Sequence, residues 1–243
     1  MPVPAWKSPG FSAAPLCAIL INRSHDVGPQ HMISSREALF RLIEGNQRFV
    51  SEVRSDAGVN ERRRREIAAA QEPFAIILGC SDSRVPAEIV FDQGLGDLFV
   101  IRVAGNIVAP SQIGSVEFAA ARYNTRLVVV LGHSNCGAIL ATVEELKRRN
   151  EEQSRNLRTI VDRIRPSVEA LLETSLGQDD ESLVHHAVRA NIRMSANQLR
   201  HGSELLEQLI QNEGLLIVGA EYHLESGVVE FFDGLPAERR GSR

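Results

Sequence analysis

The sequence lacks the residues and segments that mark several classes of protein. Three cysteines, at positions 17, 80 and 136, are too few for a disulfide framework, and their odd number suits a reducing compartment. No apolar run reaches the roughly 18 residues that a transmembrane helix requires. After residue 31 there is neither an internal repeat nor a low-complexity linker. The sequence therefore argues against a disulfide-rich, membrane-spanning or repeat protein.

Charge gives equally little reason to expect a polyanionic partner. The formal net charge is −4, which provides no general attraction to nucleic acid or to anionic membranes. The one basic cluster, Arg62 to Arg65, is flanked by Glu61 and Glu66 and continues into a helix-favouring stretch. We interpret it as a solvated helix face that ends near Pro73. We expect no nucleic-acid or membrane partner, and the cytoplasm is the expected location.

The chain is predicted to hold one domain behind an N-terminal extension. The apolar stretch 11–21 is not interpreted as part of a signal peptide, because Pro15 interrupts it and no clear cleavage site follows it. Residues 1–31 are instead expected to form a loosely ordered extension. A helix is predicted directly afterwards, with Ser34 as its N-cap and Glu37 completing a capping box. Residues 32–243 are long enough to bury a substantial core.

Short apolar runs alternate with helical segments along this domain. Such runs are typical of strands that are buried on both faces, and their alternation with helices predicts an α/β fold. We expect a mainly parallel central sheet of four to five strands, covered by helices, in a single domain. The predicted strands are 74–79, 98–101, 127–132, 215–220 and 228–232, and the predicted helices between them are 112–124, 135–149, 155–175, 181–200 and 203–212.

Candidate metal ligands follow two of these strands. Cys80 comes directly after the first strand, and His133 and Cys136 follow the third. Ligands of parallel sheets bind at the carboxyl ends of the strands, so we expect these side chains to share one edge of the sheet. Two thiolates and one imidazole suit zinc, and three protein ligands leave a fourth position for water, as in catalytic zinc sites.

An acidic and a basic residue accompany the first cysteine. Asp82 and Arg84 lie two and four residues beyond Cys80, so an extended segment places all three side chains on one side. A guanidinium can hold a carboxylate in a bidentate pair and keep it ionised beside a metal. The carboxylate could then orient a bound hydroxide or become a fourth metal ligand. The simpler alternative is an ordinary surface ion pair in a loop.

These motifs resemble the paired signature of the β-class carbonic anhydrases. Residues 80–84 read Cys-Ser-Asp-Ser-Arg and residues 133–137 read His-Ser-Asn-Cys-Gly. The resemblance extends from about Met32 to the end of the chain and is weakest in the helical region 150–213. Further matching segments are 44–50, 79–87, 96–100 and 102–106.

The resemblance implies reversible hydration of carbon dioxide to bicarbonate and a proton by zinc-bound hydroxide. One zinc ion per chain would be held by Cys80, His133 and Cys136. Asp82 and Arg84 would form the catalytic dyad, and Asp82 would exchange between the zinc ion and Arg84 with pH. The sequence leaves open which of these two partners Asp82 has at rest.

The resemblance also implies a pocket built across the interface of a homodimer or homotetramer. Gln71, nine residues before the first cysteine, would hydrogen-bond the substrate. Phe99, Ala104 and Phe118 would form apolar walls, although core packing explains the two phenylalanines almost as well. Some members carry a tryptophan as part of a regulatory bicarbonate site, but this chain has Ile77 at that position, so the site is expected to be absent.

Three other functions remain open at this stage. A related scaffold could hydrolyse carbonyl sulfide or carbon disulfide, which are linear and apolar like carbon dioxide. A structural zinc site is a second alternative, but it gives the Asp82–Arg84 pair no role. A redox pair of Cys80 and Cys136 is a third, and it leaves His133 without a role. Four further histidines are candidates for proton transfer by residue type alone: His185, His186, His201 and His223.

Overall fold

A five-stranded sheet runs through the part of the chain that the structure, a computed structural model, describes: residues 33–53, 55, 59–148 and 154–236. Four strands are parallel, and the last pairs antiparallel with the fourth. The order across the sheet is β2-β1-β3-β4-β5. The predicted α/β fold is confirmed, whereas the predicted extension 1–31 lies outside the described residues. The strands are β1 (Ala75–Gly79), β2 (Leu98–Arg102), β3 (Leu127–His133), β4 (Leu216–Tyr222) and β5 (Val229–Asp233).

Eight α-helices among the described residues cover the sheet. Ser34 caps the first of them, as predicted, by accepting a hydrogen bond from the backbone N–H of Glu37. The Arg-rich helix ends at Ile67, earlier than the expected boundary near Pro73, and buries none of its residues. Every described helix is too short or too polar to cross a lipid bilayer. The helices are α1 (Ser35–Val50), α2 (Glu61–Ile67), α3 (Ala87–Val90), α4 (Pro110–Arg122), α5 (Gly137–Arg148), α6 (Arg155–Leu172), α7 (Asp180–His201) and α8 (Glu204–Asn212).

Both faces of the central strands are buried, which explains their unbroken apolar sequences. Ile76 and Leu78 of β1 face a core built with helices α4 to α8. Ala75 and Ile77 face a second core that includes Leu42 of α1. Because side chains alternate between the faces of a strand, Cys80 continues the series of Ile76 and Leu78 and lies on the side of the larger core.

The strand order creates a crevice where β1 and β3 end. The chain leaves β1 toward β2 on one side, whereas β3 lies on the other side of β1. In open α/β sheets, ligands bind where two adjacent strands continue to opposite sides of the sheet in this way, so that the strand order reverses. Gly79 at the end of β1 pairs with Leu131, so Cys80 comes level with the last residues of β3. The residues after Gly79 and Leu131 therefore meet at one place.

Gly132, the second-to-last residue of β3, provides a test of how closely β3 packs against α7. A Cβ atom there would lie 2.5 Å from Cδ1 and 2.6 Å from Cγ1 of the fully buried Ile192 in α7. We expect Gly132→Ala to lower the free energy of unfolding by about 1–3 kcal/mol, because Ile192 or the strand must move. Urea unfolding of the metal-free protein measures this loss without a contribution from metal binding.

Gly114→Ala in α4 is the matched control. Gly114 is exposed, and a Cβ atom would have no neighbour within 4 Å. Alanine is favoured over glycine inside a helix, so we expect this change to raise stability by about 0.5–1 kcal/mol. Equal unfolding free energies for Gly132→Ala and the unchanged protein would contradict the packing described for β3 and α7.

Candidate metal centre

Three buried side chains converge in the crevice between β1 and β3. Cys80 follows β1, His133 ends β3, and Cys136 lies directly before α5. Their relative exposures are only 5%, 0% and 1%. One donor atom from each lies within 4.8 Å of the other two, and the two Sγ atoms are 4.0 Å apart. Two sulfurs and one ring nitrogen thus share a pocket of the size that one metal ion requires.

The imidazole of His133 is oriented by its own backbone neighbour. Its Nδ1–H donates to the carbonyl oxygen of Ser134 at 2.9 Å, and since a carbonyl can only accept, Nδ1 carries the proton. Nε2 is buried and has no hydrogen-bond partner among the described residues. A buried ring nitrogen without a donor is costly in a folded protein, and a metal ion would supply the partner that it lacks.

The two thiols cannot both lose their protons easily. The pKa of Cys80 is lowered to about 4, chiefly because the Cys136 side chain hydrogen-bonds to it, with smaller contributions from His133 and from backbone N–H groups including that of Gly105. The pKa of Cys136 is raised, because Cys80 and burial both disfavour a second negative charge. The pair therefore carries one negative charge readily and a second only beside a cation.

Asp82 lies beside the three donors and is held by Arg84. The guanidinium donates from Nε to Oδ1 at 2.9 Å and from Nη2 to Oδ2 at 2.7 Å, and the backbone N–H of Arg84 adds a third bond to Oδ1 at 2.9 Å. Oδ2 is also 3.8 Å from Nε2 of His133. In this structure Asp82 is thus paired with Arg84, and it faces the position that a metal on His133 would occupy.

Several residues that support the centre were not identified from the sequence. Arg102 donates to the carbonyl oxygens of Cys80 at 3.0 Å and Asp82 at 2.5 Å. The backbone N–H of Gly105 donates to Sγ of Cys80 at 3.4 Å. Gly105 has a positive φ of 68°, and Asn191 of α7 fixes its carbonyl oxygen at 2.8 Å. The sequence signal for this turn was the matching segment 102–106, in which Arg102 matches the arginine of the family's regulatory bicarbonate site, but neither Arg102 nor Gly105 was expected to support the centre.

The residues assigned to the substrate pocket divide into two groups. Ala104 begins the 3₁₀ turn Ala104–Asn106, directly before the Gly105 N–H that contacts Cys80. Phe99 and Phe118 lie together elsewhere, with ring centroids 6.3 Å apart. Phe99 pairs with Ile76, four residues before Cys80, a separation of about 13 Å along the strand.

Gln71 belongs to the group that contains the phenylalanines. Its Nε2 donates to Oη of Tyr123 at 2.8 Å. The Tyr123 ring lies 6.0 Å from Phe99 and 5.7 Å from Phe118. Gln71 and Phe118 are both exposed. The structure therefore brings Gln71, Phe99 and Phe118 to one surface around Tyr123, not to the metal centre of their own chain.

Comparison with known proteins identifies the family of this site. Residues 75–229, from the start of β1 to the start of β5, match the carbonic anhydrase family. The carbonic anhydrase of Mycolicibacterium smegmatis is 39% identical over 189 residues, which cover 78% of this chain and 89% of that protein. The chain belongs to the β-class carbonic anhydrases. It is therefore an enzyme of the family that hydrates carbon dioxide, as the resemblance of its motifs predicted.

Solved structures of β-class carbonic anhydrases share the fold. The β-carbonic anhydrase CcaA superposes with a TM-score of 0.63 at 26% identity, over 83% of this chain and 93% of CcaA. One of two tetrameric β-carbonic anhydrases from Sordaria macrospora superposes with a TM-score of 0.62 at 23% identity, over 69% of this chain and 84% of that one. Both comparisons place this chain in the same α/β architecture.

Replacement of Arg84 tests how Asp82 is kept ionised. The Arg84 guanidinium holds the pKa of the Asp82 carboxyl well below its usual range, mainly through the side-chain hydrogen bonds. The pair therefore stabilises the fold above the unfolded-state pKa of about 3.9, and this contribution is lost as the pH falls through the lower folded-state value. We expect Arg84→Ala to raise the pKa of Asp82 toward its ordinary value.

An NMR titration of the side-chain carboxyl carbon of Asp82 measures this shift. Arg62→Ala is the control, because Arg62 is 87% exposed and its one ion pair with a described residue is with Glu66 of its own helix. The control should leave the Asp82 titration unchanged. A titration midpoint for Asp82 that is the same with and without Arg84 would contradict this role of the guanidinium.

Proposed function

We propose that this chain catalyses the reversible hydration of carbon dioxide to bicarbonate and a proton with one zinc ion held by Cys80, His133 and Cys136. One observation carries the proposal: in the described part of the chain, Nε2 of His133 is buried without a hydrogen-bond partner and lies 3.8 Å from a carboxylate oxygen of Asp82, and a ring nitrogen of His133 lies within 4.8 Å of both thiol sulfurs. A structural site does not require that carboxylate, and a redox pair does not require that histidine.

The donor set fits zinc in chemistry and in size. In a tetrahedral site with Zn–S bonds of about 2.3 Å, two sulfurs are about 3.8 Å apart. The Sγ atoms of Cys80 and Cys136 are separated by 4.0 Å. A dication also removes the conflict between the two thiols, because both can then be deprotonated. When bound, zinc lowers the pKa of a coordinated water to about 7 and so provides hydroxide at neutral pH.

Asp82 and Arg84 prepare the nucleophile. Because Arg84 keeps Asp82 ionised, the Asp82 carboxylate can only accept a hydrogen bond. By accepting from the O–H of the hydroxide, it would direct a lone pair of the hydroxide oxygen toward carbon dioxide. Arg102 fixes the backbone carbonyl groups on both sides of Ser81, which restricts movement of Asp82. Asp82 is also close enough to approach the metal, in agreement with the proposed exchange between two partners.

We further propose that the substrate pocket is completed by a second copy of the chain. Gln71, Phe99 and Phe118 form a surface group that is remote along the strand from Cys80, and two of the three are exposed. A dimer that places this group over the metal centre of its partner would supply an apolar wall and a hydrogen-bond donor for the substrate. The tetrameric relatives from Sordaria macrospora support assembly into a homodimer or homotetramer.

The cytoplasm is the location that best suits this centre. The two buried cysteines Cys80 and Cys136 are both free, and they must remain reduced to bind a metal. The sulfurs are close enough that oxidation would compete with metal binding. A compartment that keeps thiols reduced avoids this loss.

Asp82→Asn tests the catalytic assignment. Asparagine has nearly the same shape but is a poorer acceptor, so we expect the zinc content to stay near one per chain while hydration slows by about 10²-fold or more. Stopped-flow hydration assays with parallel metal analysis give both quantities. Asp162→Asn, at an exposed residue of α6, is the control and should retain full activity. Unchanged turnover in Asp82→Asn would remove Asp82 from the mechanism.

Coexpression of two inactive variants tests the shared pocket. A chain with Cys80→Ser lacks a metal ligand, and a chain with Gln71→Ala lacks the substrate donor. If the pocket spans two chains, random pairing leaves about a quarter of the sites with both native side chains, and activity returns. If each chain builds its own pocket, no site is complete and hydration stays absent.

A second coexpression provides the control for this experiment. Cys80→Ser and His133→Ala both damage the metal centre itself, which lies within one chain. Their mixture contains no complete site in either arrangement, so no activity should return. Recovery in this control would indicate exchange or reversion rather than a shared pocket.

A further inference from the structure

A second cluster of metal-ligating side chains lies at the end of β4. Glu221 and His223 are two residues apart in sequence, and Glu221 pairs across the sheet with Glu230 of β5. One donor atom from each of the three lies within 4.8 Å of the other two. Nε2 of His223 is 3.7 Å from Oε2 of Glu230. The cluster is separate from the cysteine centre and contains no sulfur.

Glu221 is the member of this cluster that points to a ligand. Its side chain is fully buried, and Oε1 has no hydrogen-bond partner in the part of the chain that the structure describes. The nearest ring nitrogen, Nδ1 of His185 in α7, is 3.9 Å from Oε1 and therefore too distant for a hydrogen bond. A buried carboxyl oxygen without a donor is costly unless it is paired or coordinates a metal.

Arg189 of α7 orients the two glutamates but does not saturate them. It donates to both oxygens of Glu230, at 2.7 and 3.0 Å, and at 3.3 Å to Oε2 of Glu221. Oε1 of Glu221 receives none of these bonds. Each carboxylate oxygen has two lone pairs, so an oxygen of Glu230 can accept from Arg189 and still bind a cation. In known metal sites, hydrogen-bonding groups that do not bind the metal themselves hold its ligands in position. A guanidinium that donates to two carboxylates can do the same here.

A cavity gives ions access to this cluster. Its volume is about 610 Å³, and Glu221, His185 and His223 line it. Glu144 and Glu225 add further acidic side chains to its walls. Negative walls around a cleft concentrate cations from solution.

We propose that Glu221, His223 and Glu230 bind a second divalent cation of the zinc type, and that His185, whose Nδ1 lies 3.9 Å from Oε1 of Glu221, moves in to become a fourth donor. A tetrahedral site with zinc–ligand bonds of about 2.0–2.1 Å places its donors about 3.3–3.4 Å apart. The 3.7 Å between Nε2 of His223 and Oε2 of Glu230 needs to contract by only a few tenths of an ångström. The three donor atoms all lie within 4.8 Å of one another, so the longest of these separations would have to shorten by at most about 1.5 Å. Imidazole donors favour zinc or a similar transition metal over calcium and magnesium.

The second site is connected to the first through Ser134. Ser134 lines the cavity, and its backbone N–H donates to the carbonyl oxygen of Tyr222 at 3.0 Å. Its Oγ accepts from the N–H of Leu224, also at 3.0 Å, so it contacts both neighbours of His223 in sequence. Its carbonyl oxygen fixes His133. The two sites therefore share structural support but no ligand.

Cobalt titration of the full metal-free chain separates the two sites. The first equivalent should produce sulfur-to-cobalt charge-transfer absorption, because, of the two sites, the cysteine centre is the one that contains thiolates. A second equivalent should bind at micromolar free cobalt and add ligand-field absorption without further sulfur charge transfer. Glu221→Gln and His223→Gln should each weaken the second equivalent at least about 10-fold and leave the first unchanged.

His201→Gln is the matched control, because His201 lies at the end of α7, outside this cluster, and its loss should leave both equivalents intact. Glu221→Gln keeps the size of the buried side chain, and His223 is one-third exposed, so at least one variant should fold normally. A wild-type chain that stops at one equivalent would overturn the proposal. A second equivalent that persists in both variants would be an adventitious ion only, and would overturn it equally. Absence of the sulfur band would instead contradict the zinc centre of the proposed function.

Discussion

The parallel pairing of β1 with β3 is the constraint on which the rest of this structure depends. It sets Gly79 beside Leu131, so the chain leaves the two strands at the same level and delivers Cys80 and His133 to one crevice. Neither strand could shift by one residue without moving its side chains to the opposite face. A slip would turn Cys80 toward the second core and away from His133. The geometry of the candidate metal centre is therefore specified by the register of buried aliphatic residues in β1 and β3.

The meeting of Cys80, His133 and Cys136 in this crevice determines which of their side chains can carry charge. Two thiols whose sulfurs are 4.0 Å apart in a buried site resist double deprotonation, and an imidazole nitrogen is left without a partner. One dication would remove both defects, so the energetic cost of bringing these groups together would contribute to the affinity for the proposed metal. Asp82 stays outside this set because Arg84 satisfies it with three hydrogen bonds. In the proposed mechanism this pairing would keep a base beside the metal and would leave a coordination position for water.

The sequence contained most of this arrangement, but not all of it. Unbroken apolar runs such as Leu127 to Leu131 predict buried parallel strands, and residues directly after such strands predict ligands at one edge. The order β2-β1-β3-β4-β5 could not be predicted, because it depends on how each crossover packs against the sheet. The Gly105 N–H that contacts Cys80 was missed for a related reason. Its position follows from a left-handed turn held by Asn191, which is 86 residues away in sequence.

Glu221 shows most clearly where sequence patterns stop being informative. It belongs to a run of otherwise apolar β4 residues, where an acidic residue would ordinarily indicate a solvent-facing position. Its full burial becomes apparent only when Arg189 and His185 of α7 and Glu230 of β5 are placed around it in space. A strand that needed only stability would place an aliphatic residue there, because a buried ion pair is rarely more stable than apolar packing of the same volume. The carboxyl group is thus better explained by a ligand that it binds than by the fold that contains it.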